Sequence, residues 1–423
     1  MKEVFALIDC NNFYALCERV FNPKLQNKPV LVLSNNDGCV VARSNEVKAL
    51  GIKMGVPAFE VRENIKKHNV EVFSSNYSLY ADMSSRVMET LSALVPQIEV
   101  YSIDEAFLNL AGFTGSLTDL GRKIKDTVEK WTGLPVTIGI ARTKTLAKVA
   151  NKIAKRSARA KGVLDLTDSP YLTEALKTLQ VQDVWGIGCR TAAKLKKAKI
   201  TTALDLSRAD ISWIKQKFGV TGARTVYELG GTSCYPLEAN PPAKKSVAVS
   251  RSFGKPVETI AELKEAVAAY ASRLGEKLRK HKLAANLMTV FITTSRFVDP
   301  KKRYYNSLTC SFPVATSDTT ELIQCSLKAL QQLYRKGYRY KKAGIVSGGL
   351  IDENKVQLNL FDTVDRNRSK RLMQAIDTIN TGSNTPLKWA AEGLNQPWKV
   401  KFNRPSKRYT TSWTELVEVK TCA

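Results

Sequence analysis

Histidine and paired cysteine are nearly missing from this chain. Its 423 residues hold two His, and its eight Cys (positions 10, 17, 39, 189, 234, 310, 325 and 422) are scattered without a CxxC pair. That spacing argues against a zinc ligand set and a disulfide framework, and it fits thiols kept reduced. Long apolar runs are missing too: none approaches the ~20 residues that a membrane span needs. The opening Met1-Lys-Glu-Val-Phe5 lacks the apolar stretch and cleavage site of a signal peptide, so a cytoplasmic protein without membrane contact is expected. Acid is the third scarcity. Against 65 Lys and Arg stand 39 Asp and Glu, a formal net charge of +26.

What is present belongs to an ordinary globular protein, with 43% hydrophobic residues and enough length for several domains with sizeable cores. The cationic excess is uneven. Residues 240–350 hold 20 Lys and Arg against 7 Asp and Glu, which is half of the whole surplus. Such a concentration implies a polyanion partner held through phosphate contacts that weaken as salt rises, and nucleic acid is favoured over a merely solubilising surface.

One stretch organises the rest. In Ile98-Glu-Val-Tyr-Ser-Ile-Asp-Glu-Ala-Phe-Leu-Asn-Leu110, near-alternating apolar residues flank Asp104-Glu105, which reads as a hairpin with carboxylates at its turn. Adjacent carboxylates repel and are costly to desolvate, so such pairs are solvated, ion-paired or hold a cation. The buried-strand composition Val4-Phe-Ala-Leu-Ile8 ends on Asp9. Two strands that deliver carboxylates at one end, side by side, would form an oxygen-ligand site for Mg2+.

Around that pair the order is strand, helix (Tyr77–Leu94), hairpin, helix (Leu117–Trp131) and strand (Gly133–Ile140), a split βαβ arrangement in an α+β multidomain chain. Lys28–Leu33 adds a strand, and Arg43–Gly51 has helical spacing with a glycine stop. Lys144, Lys148, Lys152 and Lys155 share one helix face. Like charges so close imply an anionic partner, and phosphate is the favoured one.

The blocks Asp9-Cys-Asn-Asn-Phe-Tyr14, Ser102-Ile-Asp-Glu-Ala106 and Thr137-Ile-Gly-Ile140, followed by Lys144 and Lys155, resemble the signatures of Y-family translesion DNA polymerases. The resemblance is to the UmuC-like branch and runs, in family order, over nearly the whole chain. It implies a right-hand polymerase with a palm (1–25 and 77–168), fingers (26–76) and a helix-hairpin-helix thumb (169–237). A linker (238–246), a βαββαβ little finger (247–350) and a segment (351–423) holding a clamp-binding peptide and partner-binding tail would follow. The resemblance further implies that Asp9, Asp104 and Glu105 are the catalytic carboxylates, holding two Mg2+ per active site with the backbone carbonyl of Cys10. Tyr14 falls at the steric gate, where a ring under the incoming sugar excludes a 2′-OH. Lys48 and Lys155 match positions that bind the nucleotide triphosphate. The family often has Arg at the first of these and Tyr three residues before it; here Lys48 replaces a bidentate fork with a point charge, and Asn45 stands at the Tyr position.

Further along, Val184-Trp-Gly-Ile-Gly188 before Thr191–Lys196 looks like a helix-hairpin-helix turn, where Gly186 and Gly188 let backbone N–H groups grip a DNA phosphate. Glu238–Ser246, with its paired prolines and lysines, reads as a linker. Val356-Gln-Leu-Asn-Leu-Phe361 looks like a bacterial sliding-clamp peptide, in which Gln357 anchors while Leu358, Leu360 and Phe361 fill an apolar cleft; a short β-strand is the alternative. Trp389, Trp398 and Trp413, in a polar tail, suggest docking surfaces. For that tail the resemblance implies a processed UmuD-like subunit and the RecA filament as partners. The expected function is therefore error-prone translesion synthesis on primer-template DNA with dNTPs, in the SOS response. A non-catalytic DNA- and clamp-binding scaffold and a palm-type nucleotidyl cyclase are the rivals. The intact carboxylates and lysines oppose the first, and the thumb-like and basic regions oppose the second.

Overall fold

The computed structural model describes residues 3–382 and 386–416. The chain forms two compact units: Met1–Ser34 with Gly38–Pro241 and Arg404–Ala423, and Asn35–Asp37 with Pro242–Asn403. Residues 238–246, the expected linker, are exposed and lack regular structure, and the boundary falls within them.

The first unit holds β1 (Phe5–Cys10), β2 (Val30–Leu33), β3 (Val40–Arg43), β4 (Glu71–Ser74), β5 (Ile98–Val100), β6 (Glu105–Asn109), β7 (Val136–Ala141) and β8 (Val163–Asp165). They make a five-stranded sheet, β5-β6-β1-β7-β8, and a three-stranded one, β3-β2-β4. β1 is apolar almost throughout because both of its faces are covered. Ala6 and Ile8 pack with helices Phe13–Phe21, Tyr77–Leu94 and Leu117–Thr132, while Phe5 and Leu7 pack with helix Lys144–Ala154. Side-chain caps start three of those helices: Asn76 accepts from the Leu79 N–H, Ser116 from the Asp119 N–H and Thr143 from the Leu146 N–H.

Helix Lys144–Ala154 lies directly on β7. A Cβ at Gly139 would come within 2.1 Å of the Asn151 backbone nitrogen and 2.3 Å of the Ala147 oxygen, so this crossing admits only glycine. Buried Asn151 then donates to the Thr137 carbonyl at 2.7 Å and to the Leu7 carbonyl at 3.4 Å, which pins the helix across β7 and β1. The expected thumb is built of short helices, Leu172–Thr178, Cys189–Lys197 and Ala203–Ser207, with the longer Ile211–Leu229. These share their apolar core with the inner face of Lys144–Ala154.

The second unit contains β9 (Val247–Val257), β10 (Leu283–Thr294), β11 (Tyr305–Thr316) and β12 (Tyr340–Asp352), paired antiparallel in the order β11-β10-β12-β9. Helices Ile260–Lys280 and Thr319–Leu333 complete the expected βαββαβ order. Met288, Val290 and Ile292 of β10 face their apolar residues, whereas Thr289 and Phe291 alternate to the other side.

Two tail expectations need correction. Trp398 is buried, edge-on to Tyr270 at 5.9 Å and Phe253 at 6.5 Å, and Trp389 packs against the same core. These rings complete an interior, since burying so much apolar area outweighs exposing it for a partner. Only Trp413, of the three, is exposed. Nor is 351–423 one tail: residues through Asn403 belong with the second unit and those from Arg404 with the first. Among the described residues, no helix is long and apolar enough to cross a membrane.

Candidate active site

β1 and β6 run antiparallel with Asp9 opposite Glu105. The turn between β5 and β6 is fastened to β1, because the Cys10 N–H donates to the Asp104 carbonyl at 2.8 Å. Asp9, Asp104 and Glu105 therefore stand at one end of the sheet. The Ser102 hydroxyl organises the turn: it donates to Asp104 Oδ1 at 2.6 Å and accepts from the N–H groups of Asp104 at 3.2 Å and Glu105 at 3.0 Å.

Two ammonium groups hold the other carboxylates. Lys155 Nζ lies 2.6 Å from Asp9 Oδ2, and Lys148 Nζ lies 2.9 Å from Glu105 Oε1. Burial pushes the Asp9 carboxyl up to about 6; Lys155 pulls it down, while Glu105 and Asp104 add to the rise. Crowded carboxylate oxygens suit a hard cation such as Mg2+ and not a soft one. Among the described residues they do not already converge as a finished cluster, each being turned to its lysine or serine. The donor chemistry fits the cation; the carboxylates must exchange their present partners to hold it. Burial, then the Asp9 charge, raises the Cys10 thiol, so its backbone oxygen is the better ligand atom.

The row of four lysines meets a row of the chain's own carboxylates, which corrects the expectation of an external polyanion along that whole face. Lys144 pairs with Glu99, Lys148 with Glu105, Lys152 with Asp183 at 2.8 Å, and Lys155 with Asp9. Sequence spacing placed the lysines on one face but could not place Glu99 and Asp183, which arrive from a neighbouring strand and from the 3-10 turn Val181–Asp183. Lys148 also sits among three rings, 4.4 Å from the Tyr101 centroid and 5.6 Å from those of Phe107 and Trp185. Trp185 donates to the Tyr101 hydroxyl at 3.0 Å, closing the group. Cation–π attraction of this kind fixes the ammonium that holds Glu105. Tyr101 and Phe107 bracket the Asp104-Glu105 pair in sequence, the signal that could have pointed here.

Tyr14 enters from helix Phe13–Phe21, which begins straight after β1 through a left-handed Asn12 (φ 48°). Its half-buried ring stacks on Tyr80 at 4.3 Å and 13°, with Tyr77 edge-on at 6.3 Å. Asn12 donates to the Asn45 side chain at 2.9 Å, joining that turn to the short helix Asn45–Ala49 that carries Lys48. Partial burial and the cations of Arg43 and Lys155 hold the Lys48 pKa below its usual range, with Asp9 opposing. The Arg43 and Lys155 charges thus reach Lys48, as does that of Asp9. Arg43, the last residue of β3, was missed there, having read simply as a helix start.

The remaining expected residues lie elsewhere. Gly186 adopts φ 84° in the turn before helix Cys189–Lys197, and a Cβ at Gly188 would meet nothing within 4 Å. The chain's own packing gives no reason for glycine at 188. In the second unit, residues 356–361 join no sheet, which removes the strand alternative. Leu360 is 100% exposed, Phe361 89% and Leu358 60%; Gln357 reaches the Leu358 carbonyl at 3.4 Å.

Residues 8–152 match the impB/mucB/samB family, 244–360 match that family's C-terminal domain, and 370–419 match a domain of unknown function (DUF4113). The chain is 45% identical to protein UmuC of Salmonella typhimurium, covering 99% of this chain and 100% of that one. It is 42% identical to protein MucB of Escherichia coli over 98% and 99%, and 26% identical to DNA polymerase IV of Pelotomaculum thermopropionicum over 90% and 92%. A solved Y-family DNA polymerase chimera, Dbh-Dpo4(243-245)-Dbh, superposes with a TM-score of 0.66 at 22% identity, covering 82% of this chain and 99% of that one, and shares the fold. With the carboxylates, the sheet and this full-length identity in agreement, the chain belongs to the impB/mucB/samB family as a UmuC-like Y-family DNA polymerase.

Proposed function

We propose that the chain extends a DNA primer opposite damaged template, adding deoxynucleotides by two-metal phosphoryl transfer during the SOS response. The observation that carries this reading is the pairing of Asp9 with Glu105, beside a turn that delivers Asp104 to the same sheet end. Asp9, Asp104 and Glu105, with the Cys10 carbonyl, are the residues that would hold two Mg2+. Bound there, the ions activate the primer 3′-hydroxyl and neutralise charge on the triphosphate.

The chain's own groups do the rest. Lys155 exchanges Asp9 for a nucleotide phosphate, and Lys48 supplies a second point charge from the fingers. Tyr14 packs beneath the sugar and excludes a 2′-hydroxyl. The open glycine turn Gly186–Gly188 in the thumb admits a DNA phosphate to the backbone N–H groups. The cationic region 240–350, as little finger, holds duplex through its backbone. Exposed Gln357, Leu358, Leu360 and Phe361 serve a sliding clamp, and the C-terminal region serves a processed UmuD-like subunit and the RecA filament. Such a protein works in the cytoplasm at the nucleoid.

Asp104→Ala tests the assignment. Nucleotide addition should disappear while primer-template affinity stays close to wild type, measured by extension and by fluorescence anisotropy. Synthesis near the wild-type rate would remove the carboxylate from the reaction.

A further inference from the structure

We propose that the C-terminal segment Arg404–Tyr409 positions the Tyr14 ring, acting through Ser406, Glu18 and Tyr80, and so sets how strictly the enzyme rejects ribonucleotides. The proposal rests on Tyr14 being the steric gate.

The connection can be followed atom by atom within the first unit. Tyr14 and Glu18 lie one turn apart on helix Phe13–Phe21. The Tyr80 ring stacks on Tyr14 at 4.3 Å, and its hydroxyl donates to Glu18 Oε1 at 2.6 Å. The same carboxylate oxygen accepts from the Ser406 hydroxyl at 2.9 Å. Ser406 in turn accepts from the Asn76 amide at 2.9 Å, and that amide also reaches the Lys407 carbonyl at 3.1 Å. Asn76 caps the helix that carries Tyr77 and Tyr80, so one tail residue touches the start of one helix and the buried acid of the other.

Two further contacts anchor the segment on either side. The Ser74 N–H donates to the Arg404 carbonyl at 2.8 Å and the Arg404 N–H to the Ser74 hydroxyl at 3.0 Å. Tyr409 stacks on Phe21 at 5.1 Å, at the far end of the helix that begins beside Tyr14. Glu18 is 1% exposed, and among the described residues its side chain bonds these two hydroxyls and no cation. A buried carboxyl held this way depends on both donors, because losing one leaves lone pairs desolvated and unmatched. The cheapest relief is for Glu18 and Tyr80 to shift, and the ring stacked on Tyr80 shifts with them. A gate works by close contact, so a small displacement relaxes selection before it affects deoxynucleotide insertion.

The test uses the full chain in single-nucleotide insertion, comparing dNTP with the matching rNTP by kcat/KM. Tyr14→Ala should raise relative ribonucleotide use by about tenfold or more, and Ser406→Ala and Tyr80→Phe each by roughly threefold to tenfold, a coupling of about 1 kcal/mol. Ser406→Thr, which keeps a hydroxyl, should restore the wild-type ratio, and Ser412→Ala, outside the relay, should leave it alone. Combining Ser406→Ala with Tyr14→Ala should add nothing to Tyr14→Ala alone. A normal ratio in Ser406→Ala and Tyr80→Phe, while Tyr14→Ala relaxes selection, would overturn the relay and leave the gate standing. Full additivity in the double variant would overturn it equally. No change in Tyr14→Ala would remove the gate itself.

Discussion

Glu18 is a carboxyl that the fold holds against its preference. Burial lifts it from the usual 4.5 to about 7, even though the Tyr80 and Ser406 hydroxyls pull the other way. The raised value means the protonated form suits the folded state. Its contribution to stability is therefore fully present below about 4.5 and is lost as pH rises through about 7. Glu18→Gln keeps an oxygen for both hydroxyls and removes the titration. Its stability advantage over wild type should grow from near zero at acid pH to on the order of 3 kcal/mol above neutrality. Urea unfolding at several pH values reads this directly; parallel curves for the two proteins would mean that Glu18 is not held protonated. At the same scale, the meeting of Asp9, Asp104 and Glu105 at one sheet end was legible, because Asp9 closes an apolar strand and Asp104-Glu105 sits at a hairpin turn. The setting of Lys148 was not: Tyr101 and Phe107 flank the carboxylate pair, but no residue near Lys148 or Trp185 in sequence announces that the rings converge on its ammonium.

Elements with a strong period could be read from sequence almost to the residue. The helix expected over Tyr77–Leu94 has those bounds, and the hairpin forms with Asp104 in its turn. What failed was partnership between distant segments. The lysine row called for anions, but that Glu99 and Asp183 would supply them depends on how the sheet and the turn before Gly186 meet the helix. Gly139 marks that meeting, although a glycine in a strand says only that something comes close, not what does. Residues 356–361 are the opposite case, a segment outside any sheet that owes little to the rest of the fold. Under the proposed function its exposed Leu358, Leu360 and Phe361 are the surface that a sliding clamp covers. Leu360→Ala with Phe361→Ala should cost on the order of 2 kcal/mol or more of clamp affinity. Clamp-stimulated processivity should vanish while clamp-free insertion persists. A full response to a loaded clamp would return the segment to a surface loop.

For the whole molecule, fold class and polymerase membership followed from blocks of sequence spread over the chain, because each block sits where the backbone must make a particular turn or strand end. The boundary inside the linker followed as well, but which segments join each unit did not. Short thumb-like helices borrow their core from helix Lys144–Ala154, and the last tail segment belongs with the first unit and not with the residues just before it. Both outcomes depend on long-range packing that no local pattern reports. The central claim, a cation-dependent template-directed polymerase, is tested most directly by single-nucleotide insertion on defined primer-templates. Each of the four templating bases and an abasic site should be presented to the full chain, with Mg2+ present and then chelated, and with and without the processed UmuD-like subunit and RecA filament. The account predicts that the templating base selects the deoxynucleotide added, that insertion also occurs opposite the abasic site, and that chelation stops all insertion without releasing the DNA. Tight DNA binding with no insertion under any of these conditions, or insertion that ignores chelation, would contradict it.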